Sequence, residues 1–357
     1  MSAHEIVILI MAVFAVLGAL DRIFGNRLGL GKEFEDGIQT MGALALAMVG
    51  IISLAPVLAG LLKPVVVPVY EFLGADPAMF AGTILANDMG GGALAQQLTE
   101  NTQAALLGGV ITGSMLGATI VFTIPIAMGV LREEDKPLAA KGILCGIVTI
   151  PVGVLVGGLV AGFPIIMVVR NLVPIVVIAA LIALGLWKAE KAMIKGFGIF
   201  GKLVVILITV GLAAAIVQSL TGIVIIPGMA PIEDGFLTVG SIAIVLAGAF
   251  PLVLLITKLL KGPLMKFGKL LGINETAAAG LVASLANSIA TFGMVKEMDR
   301  RGKVVNVAFA VSAAFVFGDH LGFTAGFAPE MLPAVIVGKL VGGVSAVAVA
   351  LLLTPKD

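Results

Sequence analysis

The chain has 357 residues, of which 60% are hydrophobic and 12% charged, with a formal net charge of +1. Soluble domains carry about 25% charged residues, so this chain lacks the polar surface to cover a water-soluble core, and its near-neutral balance argues against a nucleic-acid surface. One cysteine, Cys145, excludes an internal disulfide framework, and with only His4 and His320 no grouping has metal-ligand spacing, so neither metal nor cofactor is expected.

Apolar runs of the ~20 residues that cross a bilayer recur along the chain, which predicts an all-α polytopic membrane protein. The first run, 6–20, is preceded by no basic residue and reads as a retained helix rather than a cleavable signal. Basic residues concentrate on the cytoplasmic side of membrane proteins, which places the loop 21–36 (Arg22, Arg27, Lys32) and the loop 131–141 (Arg132, Lys136, Lys141) inside. Between them, positions 64–103 hold no Lys or Arg, so 77–98 reads as a re-entrant hairpin dipping in from outside. A linker helix over 165–187 ends at Trp187-Lys188 and is followed by a cytoplasmic loop with Lys191, Lys195 and Lys202. A helix near 203–220 leads out to 221–235, which has no basic residue, and one near 236–257 returns to Lys258, Lys261, Lys266 and Lys269. The stretch 276–295 has basic flanks on both sides, with Lys296, Arg300, Arg301 and Lys303 after it, and reads as a hairpin entering from inside. Helices near 304–325 and 334–353 complete the chain, the last returning to Lys356. The N-terminus is expected outside and the C-terminus in the cytoplasm; the alternative treats each hairpin as an ordinary span.

The chain repeats itself at a spacing of 198. Glu35-Asp36-Gly37 returns as Glu233-Asp234-Gly235, Gly50 as Gly248, Gly82 as Gly280 and Ser114 as Ser312. Duplication in so apolar a chain is the signature of a transporter built from two repeats around a shared site. The expected organisation is repeat 1 over 1–162, a linker transmembrane helix and cytoplasmic loop over 163–198, and repeat 2 over 199–357. Each repeat has four transmembrane helices and one re-entrant hairpin, and the linker helix inverts the second copy.

Ionisable residues inside apolar segments are expensive and default to functional candidates. They are Asp88, Asp319 with His320, and Arg170, of which Arg170 is expected to reach the interface by snorkelling. Asp88 follows Asn87 and precedes Gly90-Gly91-Gly92, a sequence suited to an unwound hairpin tip, and the second tip offers Asn287-Ser288. Helical spacing along a continuous 304–325 helix places Ser312, Phe315, Asp319 and Phe323 on one face, with His320 on another. A carboxylate flanked by aromatic rings suits an ammonium ion. At the repeat spacing Asp319 falls opposite Val121 and Asp88 opposite Ala286, so the carboxylates break the symmetry that the glycines keep. With two carboxylates and no basic partner among these residues, a small cationic solute is expected. An intramembrane enzyme would need a nucleophile–base set or a metal cluster, and neither is present in the sequence. Carriage of another small polar solute, such as a nucleoside, or a non-transporting sensor remains an alternative.

The segments Phe34-Glu-Asp-Gly37, Met41 to Gly50, Leu54 to Ala59, Asn87-Asp-Met-Gly-Gly91, Gly146 to Pro151 and Gly318-Asp-His-Leu-Gly-Phe323 resemble the ethanolamine permease family of bacterial ethanolamine-utilisation operons. The resemblance runs through nearly the whole chain; the loops near 163 and 230 are compact and a polar C-terminal tail is lacking. It implies a non-enzymatic uptake protein for ethanolamine in the bacterial cytoplasmic (inner) membrane, with ethanolamine and the lipid bilayer as partners and homo-oligomerisation open. It assigns no binding residues; Asn87, Asp88, Asn287, Ser288, Ser312, Phe315, Asp319, His320 and Phe323 follow from the chemistry above.

Overall fold

The computed structural model describes residues 2–355, except for the side chains of Ala3, Leu260, Lys261, Leu264, Phe267 and Lys269. Met1, Lys356 and Asp357 lie outside the described residues, and with them the basic residue, Lys356, to which the last helix is expected to return. The described residues form helices and no strand. The first half comprises α1 (Ala3–Ile23), α2 (Leu30–Phe72), α3 (Ala78–Ile84), α4 (Gly91–Leu98), α5 (Thr102–Ala105), α6 (Ile124–Val130), α7 (Lys136–Ile147) and α8 (Ile150–Val160). Then come α9 (Ile165–Thr221), α10 (Ile232–Leu271), α11 (Glu275–Ala286), α12 (Ser288–Met294), α13 (Arg300–Ala313), α14 (Asp319–Phe327) and α15 (Leu332–Leu353). Between α5 and α6 the helix continues through wider π-helical turns, Leu106–Gly117 and Thr119–Thr123.

Seven helical stretches among the described residues are long and apolar enough to cross a bilayer. The 57-residue α9 would be about 85 Å long at 1.5 Å per residue, nearly three times the hydrocarbon thickness. Its backbone leaves helical geometry at Ala189, just after Trp187-Lys188, which divides it into two membrane-length pieces. Val16, Leu181, Val205, Ile206 and Ile244 are exposed on α1, α9 and α10. Such an apolar surface is stable against lipid and not against water.

Repeated glycines mark where helices touch. A Cβ on Gly37 of α2 would lie 2.6 Å from the carbonyl oxygen of Leu246 on α10, and one on Gly235 of α10 would lie 3.0 Å from Cα of Val49 on α2. Positions 49 and 247, the residue after Leu246, are themselves 198 apart, so the α2–α10 crossing is reciprocal. Gly50 allows α2 to meet α9 at Ile208, and Gly248 allows α10 to meet α1 at Met11, in each case 2.0 Å from the would-be Cβ to a carbonyl oxygen. Close backbone approach of this kind is how membrane helices gain packing contact without a hydrophobic driving force. The repeated Glu-Asp-Gly segment therefore supplies the central helix crossing.

Two helix–tip–helix units, α3/α4 and α11/α12, are closed at their necks by side chains at matching positions. Asp76 accepts from the backbone N–H of Ala78 at 2.9 Å and from the Thr99 hydroxyl at 3.0 Å, so it ties the entry of the first unit to its exit. In the second, Asn274 donates its N–H to Asp299 at 2.8 Å and its amide to the Glu297 carbonyl at 2.9 Å. The pairs 76/274 and 99/297 both differ by 198. Asn171 accepts from the Asp76 N–H at 2.7 Å and so docks the first neck on α9, whereas its neighbour Arg170 is exposed, as snorkelling requires.

The expected continuous helix near 304–325 is instead two helices. It stops at Ala313 and restarts at Asp319, and Phe315 between them has φ 61. The freed backbone is held by the second hairpin: the Phe315 N–H donates to the Ser284 carbonyl at 3.1 Å and that of Phe317 to the Leu285 carbonyl at 2.9 Å. Ser312, Phe315, Asp319 and Phe323 therefore do not form one helical face. The triple glycine is corrected similarly: only Gly90 takes a left-handed φ, 96°, while Gly91 and Gly92 begin α4.

Candidate functional site

The tip of the first hairpin is a short 3₁₀ turn, Asn87–Met89, where the chain reverses at Gly90. A side chain at Gly90 would collide with Ile51 of α2, 2.3 Å from the would-be Cβ, so the tip is pressed against the middle of that helix. The turn lowers Asp88 into a cavity of about 210 Å³. The cavity's walls are Thr40, Leu44 and Ala47 of α2, Asp88 and Met89 of the tip, Ala118 and Phe122 of the π-helical stretch, and Phe315, Asp319 and His320 of the α13–α14 break.

Asp319 and His320 both reach the cavity because they open α14 immediately after an unwound segment, where the face-separating helical periodicity no longer holds. A carboxylate in the first turn is also favoured by the helix dipole. Nε2 of His320 lies 3.9 Å from Oδ1 of Asp88. The rings of Phe122 and Phe315 meet edge to face, 5.4 Å apart at 81°, and Phe315 lies 5.2 Å from the His320 ring. The cavity thus presents two carboxylates and an imidazole against two aromatic rings, inside a membrane-length bundle.

Behind His320 stands Lys339 of α15, 1% exposed. Its Nζ donates to the Ser114 carbonyl oxygen and lies 3.0 Å from Nδ1 of His320. The expectation of no basic partner is therefore corrected: a buried lysine contacts the site through the imidazole. Lys339 satisfies the criterion that selects Asp88, an ionisable residue within an apolar run, and it stands 198 residues after Lys141. Phe122 occupies the repeat position of His320, since 320 − 122 = 198, but nothing in its own surroundings distinguishes it from other phenylalanines.

Of the sequence-derived candidates, Asp88, Phe315, Asp319 and His320 come together. Asn87 is fully buried beside them, with neither amide atom hydrogen-bonded. Phe323 turns to the other side of the hairpin, stacking on Phe327 at 4.8 Å beneath Gly92. Asn287 caps α12 by accepting from the Ile289 N–H at 2.7 Å. Ser288 and Ser312 are buried with unpartnered hydroxyls and do not line the cavity. Thr119 and Thr149 satisfy carbonyls, Thr119 that of Val311 at 3.1 Å and Thr149 that of Gly342 at 3.2 Å.

A second cavity of about 190 Å³ lies further along α2, between Ile52 and Pro56 of that helix, Gln96 and Gln97 of α4, Asp234 and Thr238 of α10, and Phe327. Ala47 borders the first cavity and Ile52 the second. That offset is about 7.5 Å of helix rise, filled by buried Met48 and Ile51 with the Phe323–Phe327 stack alongside.

Membrane-length apolar helices, paired hairpins and a buried acidic cavity at a helix break define a multi-pass membrane protein of the solute-carrying type. The family model for "Ethanolamine utilisation protein, EutH" matches residues 3–353, and the chain belongs to that family. It is 64% identical over 356 residues to a protein of Listeria monocytogenes named "Probable ethanolamine permease EutH", covering 100% of this chain and 95% of that one. It is 49% identical over 395 residues to the Salmonella typhimurium protein of the same name, covering 100% and 97%. It is 53% identical over 357 residues to the Bacillus subtilis "Uncharacterized protein YxeR", covering 100% and 96%. No solved structure matches.

Proposed function

We propose that the chain takes up ethanolamine as its ammonium ion by alternating access, with Asp88 and Asp319 as the ammonium-binding carboxylates. The observation that carries this reading is the pair of carboxylates facing Phe122 and Phe315 in one cavity of the bundle. A simple primary amine is mostly protonated at neutral pH, as lysine is. Such an ion crosses hydrocarbon poorly and is held by carboxylates and by the negative faces of aromatic rings. The cavity has room for a small amino alcohol and several waters at about 30 Å³ each. Thr40 lines the cavity, and its hydroxyl oxygen, which donates to the Asp36 carbonyl at 2.8 Å, is left to accept from the hydroxyl of the solute. The permease names of the Listeria and Salmonella relatives point the same way.

The two repeats are inverted in this reading. The hairpin necks at 76/99 and 274/297 lie on opposite sides of the membrane, and the hairpins are re-entrant. Its support is the reciprocal α2–α10 crossing and the loop charge, basic on both flanks of the second hairpin and absent around the first. Counting α9 as two spans and α13 with α14 as one gives nine crossings, with the N-terminus outside. The central cavity is then on the cytoplasmic side of the Ile51–Phe323–Phe327 barrier and the second cavity is the outer vestibule. The protein acts without catalysis.

Uptake of labelled ethanolamine into proteoliposomes tests the assignment. Asp319→Asn should lower the rate at limiting substrate by about tenfold or more, the loss of roughly 1.4 kcal/mol or more of charge pairing. Wild-type rates in that variant would remove Asp319 from the site.

A further inference from the structure

Lys339 has no role in the reading above. It sits on α15 beside Gly338 and near Gly342 and Gly343, in a part of the bundle where a lysine is out of place. Buried lysines are almost always paired with an acid. Here no carboxylate among the described residues lies within ion-pair distance of Nζ. Its partners are a carbonyl oxygen, that of Ser114, and Nδ1 of His320, while the other imidazole nitrogen looks toward Asp88. With Lys339 as an ammonium, which has only donors, Nδ1 accepts and the ring proton is assigned to Nε2, facing the carboxylate. The imidazole is then neutral, and it separates Lys339 from the acids that balance its charge.

We propose that Lys339 sets the charge of the solute that the cavity accepts, cancelling one of the two carboxylates so that a single monovalent ammonium neutralises the site. The charged groups are Asp88 from the hairpin tip, Asp319 from α14 and Lys339 from α15. The elements that complete the wall, α2 and the π-helical stretch, contribute Thr40, Leu44, Ala47, Ala118 and Phe122, none charged. With all three ionised in the loaded site, two negative charges and one positive charge leave one negative charge. A buried charge without a partner is strongly unfavourable, so the cavity is complete with one monocation and overfilled with a dication. Ethylenediamine is the discriminating probe: it has the shape of ethanolamine with a second ammonium in place of the hydroxyl when both nitrogens are protonated. Lys339 is thus a specificity-determining residue that never touches the solute. The inference rests on the assignment of Asp88 and Asp319 as the ammonium-binding carboxylates.

The experiment is competition of bound labelled ethanolamine by ethylenediamine on purified protein near neutral pH, with affinities referred to the doubly protonated diamine. Wild-type protein and Lys339→Arg should prefer ethanolamine. Lys339→Gln, with the site at two negative charges, should shift the affinity ratio toward ethylenediamine by about tenfold or more. Adding Asp88→Asn to Lys339→Gln returns the count to one negative charge and should restore the monoamine preference. A purely structural lysine would lower both affinities or the melting temperature and leave the ratio unmoved; an unchanged ratio in folded Lys339→Gln overturns the proposal. Should Lys339→Gln not fold, Asp88→Asn alone leaves the site neutral and should bind ethanolamine poorly. Binding regained in the double variant then supports the proposal, and binding not regained overturns it. Failure of wild-type protein to bind ethanolamine, or undiminished binding by Asp319→Asn, would refute the underlying assignment instead.

Discussion

Phe315 holds a backbone conformation, φ 61, that a bulky residue rarely adopts. Such strain is on the order of 1–3 kcal/mol and persists where the surroundings over-determine it; here the hydrogen bonds to Ser284 and Leu285 do so. The result is a ring turned into the cavity, edge to face with Phe122. If both rings face the ammonium, Phe122→Leu should keep the apolar packing and lose the cation–π attraction. Ethanolamine binding, read by titration calorimetry, should then weaken about 2- to 30-fold, equivalent to about 0.5–2 kcal/mol. Part of this site is legible in the sequence because membrane segments penalise charge: Asp88, Asp319 and His320 stand out of apolar runs by that criterion alone. Lys339 stands out equally, but its meaning depends on Ser114, 225 residues earlier in the chain. Phe122 is one of 18 phenylalanines, and only the fold separates it from the others.

The elements that shape the site are interrupted helices, and their interruptions are only half visible in sequence. Gly90 at the first tip announces a reversal. The α13–α14 break has no proline and only Gly318 to suggest it, because the force that opens it comes from the second hairpin rather than from local propensity. Helical periodicity run through that break therefore groups Ser312 and Phe323 with Asp319, which the structure separates. The start of α13 is fixed by an ion pair: Lys303 bonds to Asp135, in the short connection between α6 and α7, and Arg132 reaches the same carboxylate at 3.0 Å. Burial alone would raise the Asp135 carboxyl, but the Lys303 ammonium and Arg132 guanidinium outweigh it and hold the group below the usual carboxylate range. A carboxyl with a depressed folded value contributes stability above its unfolded value of about 3.9 and loses it as pH falls through the folded value. Asp135→Asn should therefore melt earlier than wild type at neutral pH. Losing the charged hydrogen bonds to this carboxylate costs about 1.5–3 kcal/mol, and the gap should close toward strongly acidic pH, as thermal denaturation in detergent would show.

At the scale of the molecule, duplication is the most legible feature, because the glycines that permit helix crossings cannot change without a backbone collision: Gly37 with Gly235, and Gly50 with Gly248. The departures from symmetry coincide with the proposed site, with Asp319 opposite Val121, His320 opposite Phe122 and Asp88 opposite Ala286. If the loaded cavity moves one solute cation inward while Asp88, Asp319 and Lys339 stay with the protein, each cycle carries one net positive charge across the membrane. A negative-inside potential then favours uptake by about 2.3 kcal/mol per 100 mV, which is about 50-fold accumulation at equilibrium with no coupled ion. In proteoliposomes with a potassium diffusion potential set by valinomycin, accumulated ethanolamine should rise by this factor for each about 100 mV and collapse when the potential is discharged. Accumulation that ignores the potential and follows an imposed pH gradient instead would mean that the neutral amine, or an exchanged proton, crosses with each cycle, and the cationic uniport would fall.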